Sequence, residues 1–315
     1  MSNNSTPARI KVILAAYNGA GWIVPQVQSI LAQQGVEVSV VIADDHSRDA
    51  TFQVVREHFA QEPRVTMLER PQGSGSAGAN FRNMYRETEI GQADFVALAD
   101  QDDIWNPDKL ARAVARLNTD RTDGYSSAVT ATWDGGETKV LTQNPATTAA
   151  DHLFEGAGQG CTFVMRADFF VKVQDFCRKN QAAVEKLHYH DWLVYLLSRA
   201  WQLRWTFDQQ PSMTYRQHAL NEIGARKGIS AIRHRLALIR NGWYGGQLAA
   251  ASEIYLLAGG NGDVAADLAR RLDPKRRHAN GLINRLALAH AVARHGRRRG
   301  SDRAVLAFAA LAGWF

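Results

Sequence analysis

The first part of the chain alternates between two hydrophobic periodicities, and this alternation constrains the fold more than any other feature. Short apolar runs of strand character are each followed by a segment whose apolar residues recur at helical spacing. The runs are Lys11–Ala16, Val36–Ala43, Val65–Leu68 and Asp94–Ala99, and the helical segments carry Ile23–Leu31, Val54–Phe59, Phe81–Tyr85 and Leu110–Leu117. This order predicts an α/β fold with a Rossmann-like, doubly wound, mostly parallel sheet.

The rest of the chain is less regular. A hairpin is predicted where two strand-like segments flank Asp134-Gly135-Gly136. Further on, Cys161–Met165 indicates a strand, and two segments indicate helices, Ala167–Phe176 and Asp191–Ala200. From about Ile229 the chain reads as helical to its end, with an apolar stripe at Leu282, Leu286 and Ala289. We therefore predict an α/β domain over residues 1–225 and a helical C-terminal region over residues 226–315, used for membrane association or oligomerisation.

Composition excludes several classes of protein. Cys161 and Cys177 are the only cysteines, so neither a disulfide framework nor a zinc site is expected. The polar start of the sequence lacks the core of a signal peptide, and no apolar run is long enough to cross a bilayer. These features predict a cytoplasmic protein. The net charge is +6, and the arginines near the C-terminus, including Arg297–Arg299, indicate a polyanionic neighbour, lipid or nucleic acid; a solvated basic helical face is the alternative.

The chemistry is predicted to lie at the carboxyl ends of the parallel strands, where such sheets bind ligands. Three places meet this rule: Tyr17-Asn18, Asp44-Asp45 and Asp100-Gln101-Asp102-Asp103. In the third, three carboxylates occupy four residues, and two like charges about 5 Å apart repel by roughly 1–3 kcal/mol. Mg²⁺ or Mn²⁺ would remove this cost and leave coordination positions open for phosphate oxygens. The alternative is a solvated acidic turn in which an aspartate caps the following helix.

Several motifs occur in the order found in one enzyme family. The segment A-L-A-D-Q-D-D-I-W-N-P-D-K-L resembles the signature of family 2 glycosyltransferases of the GT-A fold, and is especially similar to the rhamnosyltransferase branch. The segments I-K-V-I-L-A-A-Y-N-G and V-V-I-A-D-D-H-S-R-D-A-T resemble the first two strands and turns of that family. The likeness extends over most of residues 9–220. It implies a GT-A fold for the predicted α/β domain.

The resemblance also implies roles on the donor side. Asp100 and Asp102 match the D-x-D pair, with Asp102 expected to contact the metal and Asp103 to support the metal shell or the donor sugar. Asp45 would accept the imide N–H of uracil or thymine, with Asp44 beside it; turn formation and helix capping are the alternative for both. The other residues expected near the nucleotide or diphosphate are Ala15, Tyr17, Asn80, Gln101 and Arg216. His218, in the Y-R-Q-H-x-x-N segment, would contact the diphosphate or complete the metal shell.

Other matched positions concern the acceptor. His190-Asp191-Trp192 resembles the H-D-W form of a family motif in which the aspartate is the general base, so Asp191 is the candidate base; a helix cap is the alternative. Inverting transfer needs one such base. Gly160, Cys161 and Trp192 are expected on the acceptor side, with Cys161 a packing residue rather than a nucleophile.

The implied reaction is inverting, metal-dependent transfer of L-rhamnose from dTDP-L-rhamnose, or of a sugar from a UDP-sugar, to a glycan or undecaprenyl-diphosphate-linked acceptor. Such an acceptor implies work on a surface polysaccharide at the inner face of the cytoplasmic membrane, with a membrane surface and no nucleic acid as partner; a homodimer is open. A dinucleotide-dependent oxidoreductase would need a third glycine where Val24 stands. A non-catalytic nucleotide- and membrane-binding module is the remaining alternative.

Overall fold

The chain forms two compact units that do not follow the predicted boundary at residue 225. The computed structural model describes residues 6–68, 70–133, 135–217, 237–272 and 281–314. The first unit comprises Met1–Gln143, Gly158–Arg178 and Arg204–Glu222, and the second comprises Asn144–Ala157, Lys179–Leu203 and Ile223–Phe315. Two segments inside the predicted α/β domain therefore belong with the C-terminal helices. Each unit is described below by itself.

The first unit contains the predicted alternation of strands and helices. Its elements in chain order are β1 (Ala8–Ala16), α1 (Ile23–Leu31), β2 (Val36–Asp44), α2 (Thr51–His58), β3 (Val65–Leu68), α3 (Ala77–Glu87), β4 (Phe95–Asp100), β5 (Ile104–Trp105), α4 (Lys109–Asp120), β6 (Gly124–Trp133), β7 (Thr138–Leu141), β8 (Val164–Arg166), α5 (Ala167–Lys179) and β9 (Trp205–Gln217). The four predicted strand–helix pairs are all present, with boundaries that differ by a few residues.

The strands form one mixed sheet in the order β3-β2-β1-β4-β8-β6-β9-β5, with β7 paired to β6. Strands β3, β2, β1 and β4 run parallel to one another, whereas β8 is antiparallel to both β4 and β6. The parallel part carries the fold class that the sequence predicted, and that fold class is confirmed. The other part is mixed, because the hairpin and the returning strand β9 bring chain of both directions into the sheet.

Two local predictions were incomplete. Cys161 does not begin a strand: Gly160–Thr162 forms a 3₁₀ turn, and β8 starts only at Val164. The long strand β9 was not predicted, because its middle is polar and contains Pro211, which removes a backbone donor. The register between β6 and β9 shifts next to this proline.

The core of the first unit follows from the apolar face that each element turns inward. Strands β1, β2 and β4 are almost continuously apolar, as expected for strands covered on both faces. Helix α1 buries Ile23, Val27 and Ile30, and α4 buries Leu110, Ala113 and Leu117, each at helical spacing. The ends of the parallel strands are therefore held in place by a sheet that is packed on both faces.

The described part of the second unit is helical. It contains a 3₁₀ turn at Asp151–Leu153, then α6 (Gln181–Val184), α7 (His190–Ala200), α8 (Trp243–Leu257), α9 (Asp263–Leu272), α10 (Gly281–His295) and α11 (Gly300–Leu311). Helices α6 and α7 pack on α8, which explains why residues 179–203 belong to this unit. The predicted helical C-terminal region is borne out over the described residues.

A buried ion cluster joins three segments of the second unit. Asp151 is fully buried and accepts Arg199 Nη1 at 2.8 Å and Arg298 Nη1 at 3.1 Å. Tyr195 donates its hydroxyl to the same carboxylate at 2.8 Å. Burial alone would raise the pKa of Asp151, but the adjacent His152 ring and the Arg199 charge outweigh it and hold the pKa at about 2. The cluster fixes the C-terminal segment to the 144–157 segment.

This cluster corrects two expectations about the C-terminal region. Of the three arginines predicted to form an exposed basic patch, Arg298 is buried on Asp151, and Arg297 lies over the Tyr244 ring at 5.6 Å. The predicted apolar stripe of α10 is only partly buried: Ala289 packs inside the unit, whereas Leu282 and Leu286 are 70% and 53% exposed. The start of the segment read as helical from about Ile229 lies outside the described residues, which resume at residue 237.

We expect Asp151→Asn to lower the free energy of unfolding by about 3–5 kcal/mol, since it leaves two buried guanidinium groups without their counter-charge. The folded-state pKa of Asp151 lies below the ordinary value, so its stabilisation is present above about pH 4 and is lost as the pH falls toward 2. Chemical denaturation of both proteins should show a stability difference that narrows over this acid range. Asp175→Asn, which breaks an exposed pair with Arg178, is the control and should cost about 1 kcal/mol or less. An equal, pH-independent loss in both variants would contradict the role given to Asp151.

Candidate active site

The three places predicted from the sequence meet at one edge of the parallel sheet. Strand β1 lies between β2 and β4, with Ala16 opposite Asp44 and Ala15 opposite Asp100. Because neighbouring strands lie about 4.8 Å apart, the segments that follow these three strands are adjacent. Ala15 is buried inside β1, whereas the Tyr17 side chain, which follows β1, is 47% exposed. Tyr17 therefore offers an aromatic face at the rim of this edge.

The turns after β1 and β2 are joined by side-chain hydrogen bonds. Asn18 has a positive φ of 51°, accepts Arg48 N at 2.8 Å and donates its own N–H to Ser47 Oγ at 2.8 Å. The next amide, that of Gly19, donates to Thr51 Oγ1 at 2.7 Å. Asparagine tolerates the left-handed conformation better than most residues, which explains Tyr17-Asn18-Gly19 as a turn. The two turns form one connected loop layer.

Asp44 and Asp45 shape this layer through their carboxylates. Asp44 accepts Ser47 N at 3.0 Å and also the Ser47 hydroxyl, which is the turn-forming role that the sequence left as the alternative. Asp45 accepts Ser74 N at 2.6 Å and Ser74 Oγ at 2.9 Å. It therefore fixes the loop that precedes α3. Ser74 was not singled out in the sequence, because its signal, a serine in a glycine- and serine-rich loop, is common.

Asn80 and Gln101 also bind the protein's own backbone. Asn80 is buried, donates to Ala43 O at 2.9 Å and accepts Arg70 Nε at 3.2 Å, so it ties α3 to the end of β2. Gln101 accepts Tyr17 N at 2.6 Å and donates to Tyr17 O at 2.8 Å. A side chain at Gly19 would collide with this Gln101 amide, 2.3 Å from the position of its Cβ. Glycine at this position therefore lets the Gln101 amide keep both of its hydrogen bonds to the Tyr17 backbone.

The acidic turn contains one carboxylate that is removed from water. Asp103 is fully buried, and neither of its carboxylate oxygens accepts from a nitrogen or oxygen donor among the described residues; the neighbouring Cys161 thiol is a weak donor toward it. Burial, followed by the charges of Asp102 and Asp100, raises the pKa of Asp103 well above its usual range. An isolated buried carboxylate is costly unless a proton or a cation compensates it. The acidic turn is therefore stable only when Asp103 is protonated or a cation lies nearby.

Lys109 supplies part of this positive charge from beneath the turn. Its side chain is fully buried, its Nζ donates to Cys161 O at 2.7 Å, and the ammonium lies 3.7 Å from the centroid of the Trp105 ring. Burial lowers the pKa of Lys109, while the neighbouring Asp103 and Asp100 charges oppose that shift. Lys109 was not a predicted site residue, although the sequence places it six residues after Asp103, at the start of α4.

Gly160 and Cys161, expected on the acceptor side, are buried. The Cys161 thiol and one oxygen each of Asp100 and Asp103 lie within 4.8 Å of one another. Burial, together with the Asp103 and Asp100 charges, raises the pKa of the Cys161 thiol well above its usual range. The thiol is thus neutral at pH 7 and packs beneath the acidic turn, in agreement with the packing role predicted for it.

Asp102 and Arg216 face a separate cavity of about 280 Å³. Arg216, near the end of β9, donates its Nε to the backbone oxygen of Asp102 at 3.2 Å. The remaining lining residues are Ile104, Thr132, Trp133, Gly136 and Thr214. This cavity therefore combines a carboxylate, a guanidinium and an indole. The guanidinium of Arg216 carries a planar fork of donors, which suits it to phosphate. The other predicted residue of this segment, His218, lies outside the described residues.

The residues at the turn fit a divalent cation. Asp103 provides buried oxygens that have no nitrogen or oxygen donor among the described residues, and Asp100 lies beside them. Hard divalent ions prefer carboxylate oxygen, and the neutral Cys161 thiol is a poor ligand for them. The close grouping contains Asp100 and Asp103 and does not contain Asp102, which was expected to be the direct ligand. The structure therefore offers two carboxylates for an ion before Asp102 is counted.

The residues predicted around the general base lie in the second unit. Asp191 is in the first turn of α7, partly exposed, and its Oδ1 accepts Trp192 N at 2.7 Å. Trp192 is only 4% exposed, donates its Nε1–H to His152 O at 2.8 Å and stacks with Tyr244 at 6.4 Å. The indole therefore anchors the start of α7, while Asp191 keeps a surface position.

Comparisons with known proteins agree with this architecture. The profile of glycosyl transferase family 2 matches residues 11–182. The dTDP-rhamnosyl transferase RfbG of Shigella flexneri is 34% identical over 232 residues, which cover 73% of this chain and 80% of that protein. Among solved structures, S. aureus TarS in complex with UDP-GlcNAc gives a TM-score of 0.55 at 13% identity, over 97% of this chain and 91% of that one. The mannosyltransferase PcManGT of Pyrobaculum calidifontis, in complex with GDP-Man and Mn²⁺, gives 0.50 at 18%, over 97% and 86%. The structural matches establish the fold alone.

We expect Lys109→Met to lower the free energy of unfolding by about 1–3 kcal/mol, because it leaves the buried Cys161 carbonyl without its Lys109 donor and removes the positive charge that favours ionised Asp103. Lys139→Met is the matched control: Lys139 is exposed on β7, so its loss should change stability by about 0.5 kcal/mol or less. Urea denaturation at neutral pH measures both. A stability of Lys109→Met equal to that of the control would show that the acidic turn does not depend on this ammonium.

Proposed function

The chain belongs to glycosyl transferase family 2 and is a glycosyltransferase, and on that premise we propose that it transfers a sugar, with inversion, from a nucleoside-diphosphate donor bound through Mg²⁺ or Mn²⁺ at Asp100–Asp103. One observation carries the proposal: the buried Asp103 carboxylate, which has no nitrogen or oxygen hydrogen-bond donor among the described residues, lies beside Asp100 at the carboxyl end of the central parallel strands. A divalent ion there would neutralise the leaving diphosphate.

We propose that the donor is dTDP-L-rhamnose. The support is the S. flexneri relative, a dTDP-rhamnosyl transferase that is 34% identical over most of both chains. The exposed Tyr17 side chain would lie against the thymine ring of the donor. Asp45 would accept the imide N–H of the thymine while it holds the Ser74 loop. Arg216 would contribute positive charge to the diphosphate from the cavity that it shares with Asp102.

We propose Asp191 as the general base that takes the proton from the acceptor hydroxyl. Its support is its chemistry and its position: a partly exposed carboxylate at a helix N-terminus, fixed by the Trp192 amide. A single displacement with inversion needs one base and no second catalytic carboxylate. The acceptor would be a glycan or a saccharide on undecaprenyl diphosphate, in the synthesis of a cell-surface polysaccharide, which places the reaction at the inner face of the membrane.

The donor assignment predicts a selective response in thermal unfolding. With Mg²⁺ or Mn²⁺ present, dTDP-L-rhamnose should raise the melting temperature more than UDP-glucose, UDP-GlcNAc or GDP-mannose, and a chelator should abolish the increase. The stabilisation grows with ligand concentration above the dissociation constant, so a titration gives the affinity. A preference for a UDP-sugar would replace the donor and leave the reaction class intact. A response to NAD alone would remove the proposed function.

The two aspartate roles predict different failures. Asp191→Asn should retain donor affinity and lose transfer by about a hundred-fold or more, since it removes a general base. Asp263→Asn, another aspartate in the first turn of a helix of the same unit, is its control and should transfer normally.

The metal role is tested in parallel. Asp102→Asn should weaken metal-dependent donor binding by about ten-fold or more, because even supporting groups around a metal contribute that much. The exposed Asp108→Asn is its control. Unchanged donor affinity in Asp102→Asn together with its loss in Asp100→Asn would move the metal contact to Asp100.

A further inference from the structure

Helices α10 and α11 expose large apolar side chains to solvent. Six are between 42% and 81% exposed: Leu282, Ile283, Leu286, Val305, Phe308 and Leu311. Each helix also has a buried apolar face, formed by Leu288, Ala289 and Val292 on α10 and by Leu306, Ala309 and Ala310 on α11. The exposed residues are therefore surplus to the packing of the unit. Concentrated exposed apolar surface of this kind marks an interaction site.

The exposed apolar residues lie at one end of a helical hairpin. Helices α10 and α11 pack on each other and are joined by the four residues Gly296–Arg299, so the start of α10 and the end of α11 lie together. The position of Arg285 agrees with this geometry, since its guanidinium carbon is 2.6 Å from the point where a Cβ of Gly313 would be. The apolar residues occupy the first turns of α10 and the last turns of α11. We call this end the distal end of the hairpin.

The opposite end of the hairpin is fixed to the unit. Arg298 binds Asp151 and donates its backbone N–H to Glu155 Oε1 at 2.6 Å. Thr148 donates its hydroxyl to the backbone oxygen of His295 at 2.7 Å, and Asn144 donates to Arg298 O at 3.2 Å. The turn is thus held by buried and part-buried polar contacts. The distal end is presented on a fixed support.

The charge of the hairpin identifies the kind of partner. Residues 281–314 contain six arginines and one acidic residue, Asp302. Arg297 and Arg298 are engaged inside the unit, whereas Arg285 is exposed at the distal end and Arg294 and Arg299 are exposed near the turn. A second copy of this chain would bring the same positive charge against it. Nucleic acid would match the arginines and leave the aliphatic side chains in water. An anionic lipid surface satisfies both features.

We propose that the distal end of the α10–α11 hairpin inserts into the headgroup region of an anionic bilayer, with Arg285 at this end contacting lipid phosphates. The helices would lie on the membrane: in the described part of the chain, none has the length and hydropathy to cross it. The choice of a bilayer also rests on the proposed function, through its lipid-linked acceptor. The surface differs from the one that the sequence indicated, because Arg298 is buried and Leu282, Ile283 and Phe308 are exposed.

Vesicle flotation of the full chain, without donor or acceptor, tests this inference. Wild type should float with phosphatidylglycerol-containing vesicles, should not float with phosphatidylcholine alone, and should be released by high salt. Ile283→Gln with Phe308→Gln should reduce binding by about ten-fold or more, because two large apolar groups no longer leave water. Val140→Gln with Val171→Gln, at 50% and 41% exposed positions of the first unit, is the matched control and should bind as wild type.

Three results would overturn the inference: no flotation of wild type with anionic vesicles, equal flotation of the Ile283/Phe308 variant, or a dimer that this variant dissociates while vesicle binding is absent. Sedimentation equilibrium on both proteins measures the last. Thermal response to the donor is recorded on the same samples. Loss of the donor response with vesicle binding retained removes the proposed function and leaves the membrane surface, so the two failures are distinguishable.

Discussion

The site depends on how the chain tolerates three carboxylates at the end of a buried strand. Asp103 is removed from water and has no nitrogen or oxygen hydrogen-bond donor among the described residues, so it is stable there only with a proton or with positive charge nearby. The completely buried Lys109 adds positive charge nearby, which lowers the pKa of Asp103 and so favours its ionised form. The negative charge that is not compensated by Lys109 lies at the strand ends, where Asp100 is close to Asp103. A divalent ion that binds together with the diphosphate would compensate this negative charge, so donor binding would depend on the electrostatics of the fold.

The surrounding loop layer is organised by the side chains that were expected to contact the nucleotide. Asp44, Asn80 and Gln101 use their polar atoms on backbone groups of neighbouring loops. Gln101 thereby holds Tyr17 against the acidic turn, whereas Asp44 fixes the turn after β2 and Asn80 ties α3 to the end of β2. Precise positioning of a few ligand-contacting groups by a shell of hydrogen bonds is what a transfer reaction requires. A residue type that is retained at such a position can thus reflect loop geometry as much as ligand contact.

The sequence predicted the parallel half of the sheet well, because buried parallel strands such as Val36–Asp44 and the helices between them have strong, distinct periodicities. It failed for β9, where Pro211 and polar residues hide a strand whose pairing is decided by distant chain. It located the acidic turn but could not show that Asp103 is buried or that Lys109 lies beneath it. Burial arises from tertiary packing, and a lysine in a helix is ordinarily solvated.

The C-terminal region shows why charge read from a sequence is not the charge of a surface. Arg297, Arg298 and Arg299 are consecutive, yet one is buried on Asp151, one lies over an aromatic ring and one is exposed. The same holds for apolar residues, since Leu282 and Ala289 share a helical stripe and only Ala289 is buried. Because Arg298 binds the buried Asp151, the turn of the hairpin is fixed to the unit. The exposed apolar distal end lies at the opposite end of the hairpin and is available for a partner.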